Sequence, residues 1–133
     1  METEALVRDY IDACNEAFGG DDSDRIVALL HPDVEMHEAR EMPGAVSAVG
    51  IQSVTRYLER FGTYWQEFRW EPLEFVARGD RVLMPAVLHV TGRESGIPVA
   101  HEWFYVFTIS DGLLRRQDVF TDRAAAEAAL DSP

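Results

Sequence analysis

The spacing of apolar residues predicts helices in the first part of the chain. Between Glu4 and Phe18, apolar side chains recur at three- and four-residue steps, which indicates an amphipathic helix that ends at Gly19-Gly20. The polar run from Asp21 to Asp24 supplies N-cap oxygens for a second, short helix. That helix carries Ile26 to Leu30 and is stopped by Pro32, because the residue before a proline disfavours helical backbone.

A short strand and a loop come before a third helix. Val34 to Glu38 predicts the strand, and Ala39 to Gly50 predicts the loop, in which Pro43-Gly44 is a turn signal. The third helix extends from about Ile51 to Trp65, since its apolar residues fall along one side.

After the third helix, the pattern changes to that of β-strands. Aromatic and β-branched residues predict four consecutive strands: Phe68 to Ala77, Arg81 to Thr91, Val99 to Ile109 and Leu113 to Thr121. Pro72 marks a sheet edge or a bulge in the first of them. Asp122 then caps a terminal helix from Arg123 to about Leu130. Segregated helices and a meander of strands predict an α+β fold with an antiparallel sheet.

The strand from Val99 to Ile109 is apolar on both faces. His101, Trp103 and Tyr105 share one face, while Phe104 and Val106 lie on the other. A sheet with one solvated face alternates more cleanly than this. We therefore expect the helices to cover one face and a second subunit to cover the other, which predicts a homodimer through the outer sheet face. A twisted sheet with a few exposed aromatic residues is the alternative.

Composition and charge exclude several classes of protein. The 133 residues fit one domain that spans residues 1–133. A net charge of −12 repels phosphates and anionic lipid headgroups, so we expect neither a nucleic acid partner nor a membrane partner. The single cysteine, Cys14, excludes an internal disulfide. No signal-like or membrane-spanning segment is visible, which predicts a cytoplasmic location.

The order and spacing of several short segments resemble one known superfamily. These segments are Leu29 to Glu35, Pro43-Gly44 with Gly50, Gly79 to Val82, Ser95 to Val99, and Asp111-Gly112 with Asp122 to Ala124. From Leu6 to Leu130 the chain resembles the nuclear transport factor 2-like superfamily in its SnoaL-like branch. The resemblance implies a cone-shaped α+β barrel, in which a strongly bent antiparallel sheet wraps a long helix and leaves a pocket between them. The superfamily includes ketosteroid isomerases, polyketide cyclases, epoxide hydrolases, dehydratases and pocket proteins without known chemistry.

The resemblance transfers only part of a catalytic site. Tyr10 falls where ketosteroid isomerases carry the tyrosine that donates to the developing oxyanion, and Glu38 falls where they carry their aspartate base. Their second oxyanion donor, a protonated aspartate, falls on Trp103, whose indole N–H donates a hydrogen bond but is not an acid. The histidine and aspartate of SnoaL-type cyclases fall near Tyr105 and Val119, so that acid–base pair is missing.

Strand parity supports Glu38 as the candidate base. Val34 and Met36 are apolar, and if they face inward, then Glu38 faces inward as well, whereas Glu35 and His37 face outward. An apolar pocket disfavours the charged form of a carboxylate and makes it a stronger base. The alternative is that the strand ends before Glu38 and that its side chain points to water.

Histidines offer one further candidate. His101 shares a face with Trp103 and is the best histidine for the pocket. His31 precedes Pro32, where an imidazolium meets the carbonyls at the end of the second helix. The four histidines, including His37 and His89, have no metal-ligand spacing, so we expect no metal and no cofactor.

The hairpin at Asp111-Gly112 decides which polar residue faces inward. A two-residue turn sets Tyr105 opposite Asp118, and a three-residue loop sets it opposite Gln117. We favour Gln117 inside and Asp118 outside.

The residue pattern leaves two functions open. The predicted pocket suits a small, flat, hydrophobic molecule with one or two polar groups, and its expected wall is Met36, Tyr57, Phe61, Trp65, Trp103, Tyr105 and Gln117. The first function is a cofactor-independent lyase or isomerase, in which Glu38 abstracts a proton next to a carbonyl and Tyr10 stabilises the enolate, with His101 or Trp103 assisting. The second is a non-catalytic domain that binds or carries a similar ligand.

Overall fold

The computed structural model describes residues 2–17 and 23–132. Its helices are α1 (Thr3–Ala17), α2 (Ser23–Val27), α3 (Ile51–Tyr64) and α4 (Arg123–Leu130). Its strands are β1 (Leu30–His37), β2 (Ser47–Val49), β3 (Trp65–Pro72), β4 (Val76–Arg78), β5 (Arg81–Gly92), β6 (Pro98–Ser110) and β7 (Leu113–Phe120). The expected helix end at Phe18 and Gly19-Gly20, and the N-cap oxygens of Asp21 and Asp22, lie outside the described residues.

The strands form one curled, mixed sheet, and the predicted α+β class is confirmed. In the described part of the chain, the sheet has seven strands in the order β2-β1-β7-β6-β5-β3, and β4 pairs with β5 beside β3. The predicted wholly antiparallel sheet is wrong at one place, because β1 and β7 pair in parallel, with Met36 opposite Gln117. After β2 the chain crosses the sheet through α3 and then forms the later strands, the last of which, β7, lies beside β1. No local sequence pattern predicts this pairing of β7 with β1.

The concave face of the sheet carries the main core. Helix α1 buries Leu6, Tyr10 and Cys14 against it, so that Cys14 packs as a small hydrophobe, as its position in the apolar stripe predicts. Helix α3 buries only Val54 completely, since the remainder of its inner face borders open volume. None of the described helices is long and apolar enough to cross a membrane.

The chain's own last helix covers part of the outer face. Val106 is 2% exposed and belongs to a second buried cluster with Leu83, Ala126 and Leu130, against which Phe104 also packs. Helix α4 therefore accounts for the apolar outer face of β6 at these positions. The two apolar faces no longer require a second subunit, and a homodimer stays a prediction.

The start of β1 differs from the predicted end of the second helix. Helix α2 ends at Val27, and His31 and Pro32 lie within β1, so the helix-end position expected for His31 is wrong. Leu30 pairs with Leu114 of β7, and an irregularity between Leu30 and Glu35 accommodates the proline. His31 instead accepts a hydrogen bond from the backbone of Asp33 and lies 3.5 Å from a carboxylate oxygen of Asp111.

A bulge in the β6–β7 hairpin decides which side chains face inward. Asp111 and Gly112 both have positive φ, as the primed two-residue turn requires. The register then shifts by one residue after Ile109, so that Tyr105 lies opposite Val119 and neither expected register is right. Gln117 nevertheless faces inward, as predicted, because the bulge restores its parity.

The side chain of Asp122 caps α4, and its removal should cost stability. Its carboxylate accepts hydrogen bonds from Ala124 N–H at 2.8 Å and Ala125 N–H at 3.4 Å. We expect Asp122→Ala to lower the free energy of unfolding by about 1 kcal/mol in urea titrations, because two helix-end donors lose their acceptor. Asp122→Asn, which keeps a capping oxygen, should lose much less. Equal stability of the alanine variant and the wild type would contradict this capping role.

Candidate functional site

A cavity lies between α3, the β1–β2 hairpin and the inner face of the sheet. Its volume is about 360 Å³, and it opens beside the hairpin residues Met42 and Val46. Its wall is mainly apolar and aromatic, with Phe61, Trp65, Phe68, Trp70, Leu88, Trp103, Tyr105 and Val119. Glu38 and Arg60 are the charged residues on the described wall. The arrangement suits a flat apolar molecule that presents a polar group to a carboxylate.

A second cavity of about 320 Å³ adjoins the first beneath α1 and α2. It is lined by Tyr10, Cys14 and Ile26, among others. The side chains that border both cavities are Tyr57, Phe61, Phe68, Trp70 and Gln117. Most of this shared wall is aromatic, and Gln117 contributes an amide to it.

The β1–β2 hairpin holds Glu38 on the wall of the first cavity. Although β1 ends at His37, the backbone N–H of Glu38 continues the pairing by donating to the carbonyl of Val46 at 3.0 Å. The Glu38 side chain turns back and accepts from Val46 N–H at 3.0 Å through Oε1. Oε2 accepts from the hydroxyl of Tyr57 at 2.7 Å. The carboxylate is therefore oriented by two donors and borders the cavity.

Tyr57 is the partner that sequence reasoning missed. The sequence predicts Tyr57 only as a residue of the cavity wall, but its hydroxyl donates a hydrogen bond to Glu38, 19 residues away in the sequence. Burial raises the pKa of Tyr57 well above its ordinary value, and the hydrogen bond to Glu38 raises it further, so the phenol keeps its proton and stays a donor. No spacing in the sequence links the end of β1 to this turn of α3.

Tyr10 lies on the wall of the second cavity, apart from Glu38. It is fully buried, and its hydroxyl donates to Gln117 Oε1 at 3.4 Å. Burial raises the pKa of Tyr10, so the hydroxyl stays protonated. Glu38 borders the first cavity and Tyr10 the second, and a role of Tyr10 in stabilising the enolate stays a prediction.

Trp70 on β3 and Tyr105 on β6 form a hydrogen-bonded aromatic pair in the wall of the first cavity. Trp70 Nε1 donates to the Tyr105 hydroxyl at 3.0 Å, and the two rings meet edge to face at 5.3 Å. Burial raises the pKa of Tyr105, and the donated hydrogen bond partly offsets that shift.

Two expected site residues lie away from both cavities. His101 is exposed and packs its ring against Trp103, with centroids 4.3 Å apart, because the first residues of β6 extend beyond the helices that cover the sheet. Met36 is buried next to Gln117 but does not border either cavity. Trp103, by contrast, lines the first cavity. The structure does not bring His101 to the cavity that Glu38 borders, and a catalytic role for His101 stays a prediction.

The outward residues of β1 join an ionic cluster on the convex face. His37 bonds Glu35 at 2.9 Å and Ser47 at 2.8 Å, and Arg115 approaches Glu35 at 3.2 Å. The hydrogen bond from His37 is the main cause that lowers the pKa of Glu35. Within the described residues, no group of three His, Cys, Asp or Glu side chains is arranged to hold a metal ion.

Comparison with known proteins identifies the family. A model described as a SnoaL-like domain matches residues 7–117. The chain therefore belongs to the SnoaL-like domain family. No curated protein sequence matches the chain significantly.

Solved structures share the fold at low identity. An NTF2-like protein of unknown function from Burkholderia pseudomallei is 21% identical, with 100% of each chain covered and a TM-score of 0.79. TerC, co-crystallised with polyporic acid, is 22% identical over 98% of each chain, with a TM-score of 0.77. A protein with a ketosteroid isomerase-like fold from Catenulispora acidiphila, in complex with trimethylamine, is 13% identical over 99% of this chain and 96% of that one, with a TM-score of 0.76. At these identities, the likeness shows the cone-like α+β fold alone.

Cys14 should be inert in the folded protein. Burial raises the pKa of its thiol to about 12 from an ordinary value of 9.0. We expect a disulfide reagent such as DTNB to leave the native thiol unmodified at pH 8 and to modify it stoichiometrically in urea. Rapid modification of the native protein would contradict this burial.

The same shift makes stability depend on alkaline pH. Because the folded-state pKa of Cys14 is raised, its contribution is complete below pH 9.0 and is lost as pH rises toward about 12. Cys14→Ala, which lacks this ionisation, should lose less unfolding free energy than the wild type over that interval.

Proposed function

We propose that this protein binds a small, flat, largely apolar carbonyl compound and that Glu38 takes a proton from the carbon next to the carbonyl. The protein would then be a cofactor-independent isomerase or lyase. The observation that carries the proposal is the Glu38 carboxylate, held by Val46 N–H and the Tyr57 hydroxyl on the wall of an otherwise largely apolar cavity.

The ligand class follows from the wall of the cavity. Aromatic side chains such as Phe61, Trp65 and Trp103 favour a planar apolar body, and a volume of about 360 Å³ fits a molecule of one to three fused rings. That TerC and the Catenulispora acidiphila protein were crystallised with small molecules supports a small-molecule ligand here as well.

The base role follows from the geometry of Glu38. Each carboxylate oxygen accepts one hydrogen bond and keeps a further lone pair, so the group can receive a proton without leaving its place. The C–H bond breaks, its electron pair forms a carbon–carbon double bond while the carbonyl π pair moves to oxygen to give an enolate, and the proton resides on Glu38 until it returns to the ligand. Tyr57 holds the carboxylate in this orientation.

The alternative is a binding or carrier domain without chemistry. It is favoured by the same two hydrogen bonds, because a carboxylate that the protein holds in one orientation can accept a hydrogen bond from a ligand hydroxyl without taking a proton. In that case, Glu38 would only orient a ligand hydroxyl.

Deuterium exchange separates the two functions without knowledge of the natural substrate. 2-Tetralone is a flat aryl ketone with acidic hydrogens next to its carbonyl. We expect the wild-type protein to accelerate deuterium incorporation at that carbon in D₂O above the buffer rate, followed by proton NMR. Binding of the ketone without accelerated exchange would favour the carrier function.

A further inference from the structure

Gln117 is the buried polar side chain of the described structure. It lies on β7 with 5% exposure, and apart from the tyrosines no other polar or charged residue of the described chain is buried to that degree. A primary amide carries two N–H donors and a carbonyl acceptor, and burying such a group is unfavourable unless these atoms find partners. Gln117 also borders both cavities, so its surroundings are open volume as well as packed protein.

Tyr10 determines how the amide is oriented. The fully buried Tyr10 hydroxyl must place its proton on an acceptor, and its candidates are the amide oxygen of Gln117 at 3.4 Å and the thiol of Cys14. A thiol is a weak acceptor, so the hydroxyl donates to Gln117 Oε1. That bond directs Oε1 toward α1 and leaves Nε2 on the other side of the amide.

The amide nitrogen then borders the cavity. Among the described residues, Nε2 of Gln117 has no hydrogen-bond partner. Every completely buried side-chain nitrogen or oxygen of these residues does have a partner, so Nε2 is not completely buried. Nε2 is therefore accessible from the open volume that Gln117 lines. Two N–H donors without acceptors at the edge of an apolar cavity are a site for a ligand oxygen.

Glu38 and Gln117 approach the same cavity from adjacent strands. Met36 is paired with Gln117 in the parallel β1–β7 ladder, so Glu38 lies two residues further along the same inward face. From strand geometry, their Cβ atoms are roughly 8 Å apart. Both residues line the first cavity. A ligand between them can present a C–H bond to the carboxylate and an oxygen to the amide.

We propose that Gln117 is the carbonyl-recognising residue of this cavity, and that Tyr10 is a positioning residue that holds its amide N–H toward the ligand oxygen. The inference rests on the proposed function, since it assigns the carbonyl end of the ligand whose C–H end meets Glu38. It specifies the ligand class further: the ligand is a flat ketone whose oxygen accepts a hydrogen bond from the Gln117 amide on β7.

A matched pair of ligands tests this role by binding alone. 2-Acetylnaphthalene has a carbonyl oxygen, and 2-isopropylnaphthalene has nearly the same shape without an acceptor. We expect Gln117→Met to weaken binding of the ketone about threefold to tenfold, which is the contribution of one neutral hydrogen bond. Binding of the hydrocarbon should change less than twofold. Tryptophan fluorescence gives both dissociation constants. Hydrocarbon binding also shows that the variant cavity is folded, and Gln117→Leu repeats the test with a different shape.

A double-mutant cycle tests Tyr10. Tyr10→Phe should weaken binding of the ketone and leave binding of the hydrocarbon unchanged, because the Gln117 amide loses the donor that orients it. In the Gln117→Met background, Tyr10→Phe should have no further effect on the ketone. If Tyr10 had only a structural role, Tyr10→Phe would change the dissociation constants of both ligands equally, with and without Gln117→Met. That result would overturn the positioning role.

Two failures are distinguishable. If the wild type binds both naphthalenes and neither Gln117 variant changes their affinity ratio, Gln117 does not recognise the carbonyl, and the inference is wrong while the proposed function stands. If the wild type binds neither naphthalene, the proposed ligand class itself is wrong, and the inference falls with it.

Discussion

Replacing Glu38 by glutamine should lower the exchange rate of 2-tetralone by about 10²- to 10⁴-fold, the usual contribution of a general base. The amide keeps the size of the side chain but has no basic oxygen that can take a carbon-bound proton. The aromatic wall is unchanged, so the dissociation constant of 2-acetylnaphthalene should stay within about threefold of the wild-type value. Proton NMR in D₂O measures the rate, and fluorescence titration measures the binding.

A matched variant controls for the loss of one negative charge. Glu67 lies on the exposed face of β3, away from both cavities, so Glu67→Gln makes the same chemical change outside the site. It should exchange 2-tetralone at the wild-type rate. Urea titration of both variants shows whether they remain folded. Exchange by Glu38→Gln at the wild-type rate would eliminate Glu38 as the base and leave the carrier function as the better one.

Tyr57→Phe offers a further comparison within the same site. The variant removes the hydroxyl that donates to Glu38 Oε2 and keeps the ring that lines both cavities. Because the donor holds one carboxylate oxygen in place, its loss leaves Glu38 less well oriented toward the ligand, and we expect slower exchange of 2-tetralone than with the wild type. Proton NMR in D₂O measures the rate, and exchange at the wild-type rate would mean that the hydroxyl does not orient Glu38.

Phe107→Ala should lower the free energy of unfolding by about 3–5 kcal/mol, the usual cost of removing a buried aromatic side chain. Phe107 is fully buried on β6. Its ring meets that of Tyr10 edge to face at 6.0 Å and stacks beside that of Tyr105 at 6.2 Å. Truncation removes contacts to α1 and to the sheet at once and leaves a void that the surrounding residues fill only in part.

Urea denaturation followed by tryptophan fluorescence measures this loss. Val99→Ala, at a half-exposed position of the same strand, is the control and should stay within about 0.5 kcal/mol of the wild type. For a domain whose total stability is in the usual range of about 5–15 kcal/mol, the Phe107 variant loses a large share of it. A loss below about 1 kcal/mol would mean that the ring is not packed as the structure shows.

Much of the architecture was predictable from local pattern. The helical spacing of α1 and α3 and the run of four β-rich segments predicted the α+β class and the order of the main elements. Strand parity predicted that Glu38 faces inward, and the structure places it on the cavity wall. These features follow from steps of two, three or four residues along the chain, which a sequence displays directly.

The sequence alone therefore determined which segments form helices or strands and which side chains face inward. The tertiary structure decided which of them meet. The Tyr57–Glu38 and Tyr10–Gln117 hydrogen bonds join residues 19 and 107 positions apart. The first depends on the packing of α3 beside the end of β1, and the second depends on one bulged residue in the β6–β7 hairpin that turns Gln117 inward. Such pairings arise from packing over the whole sheet, where a shift of one residue exchanges the faces of a strand, so no local period encodes them.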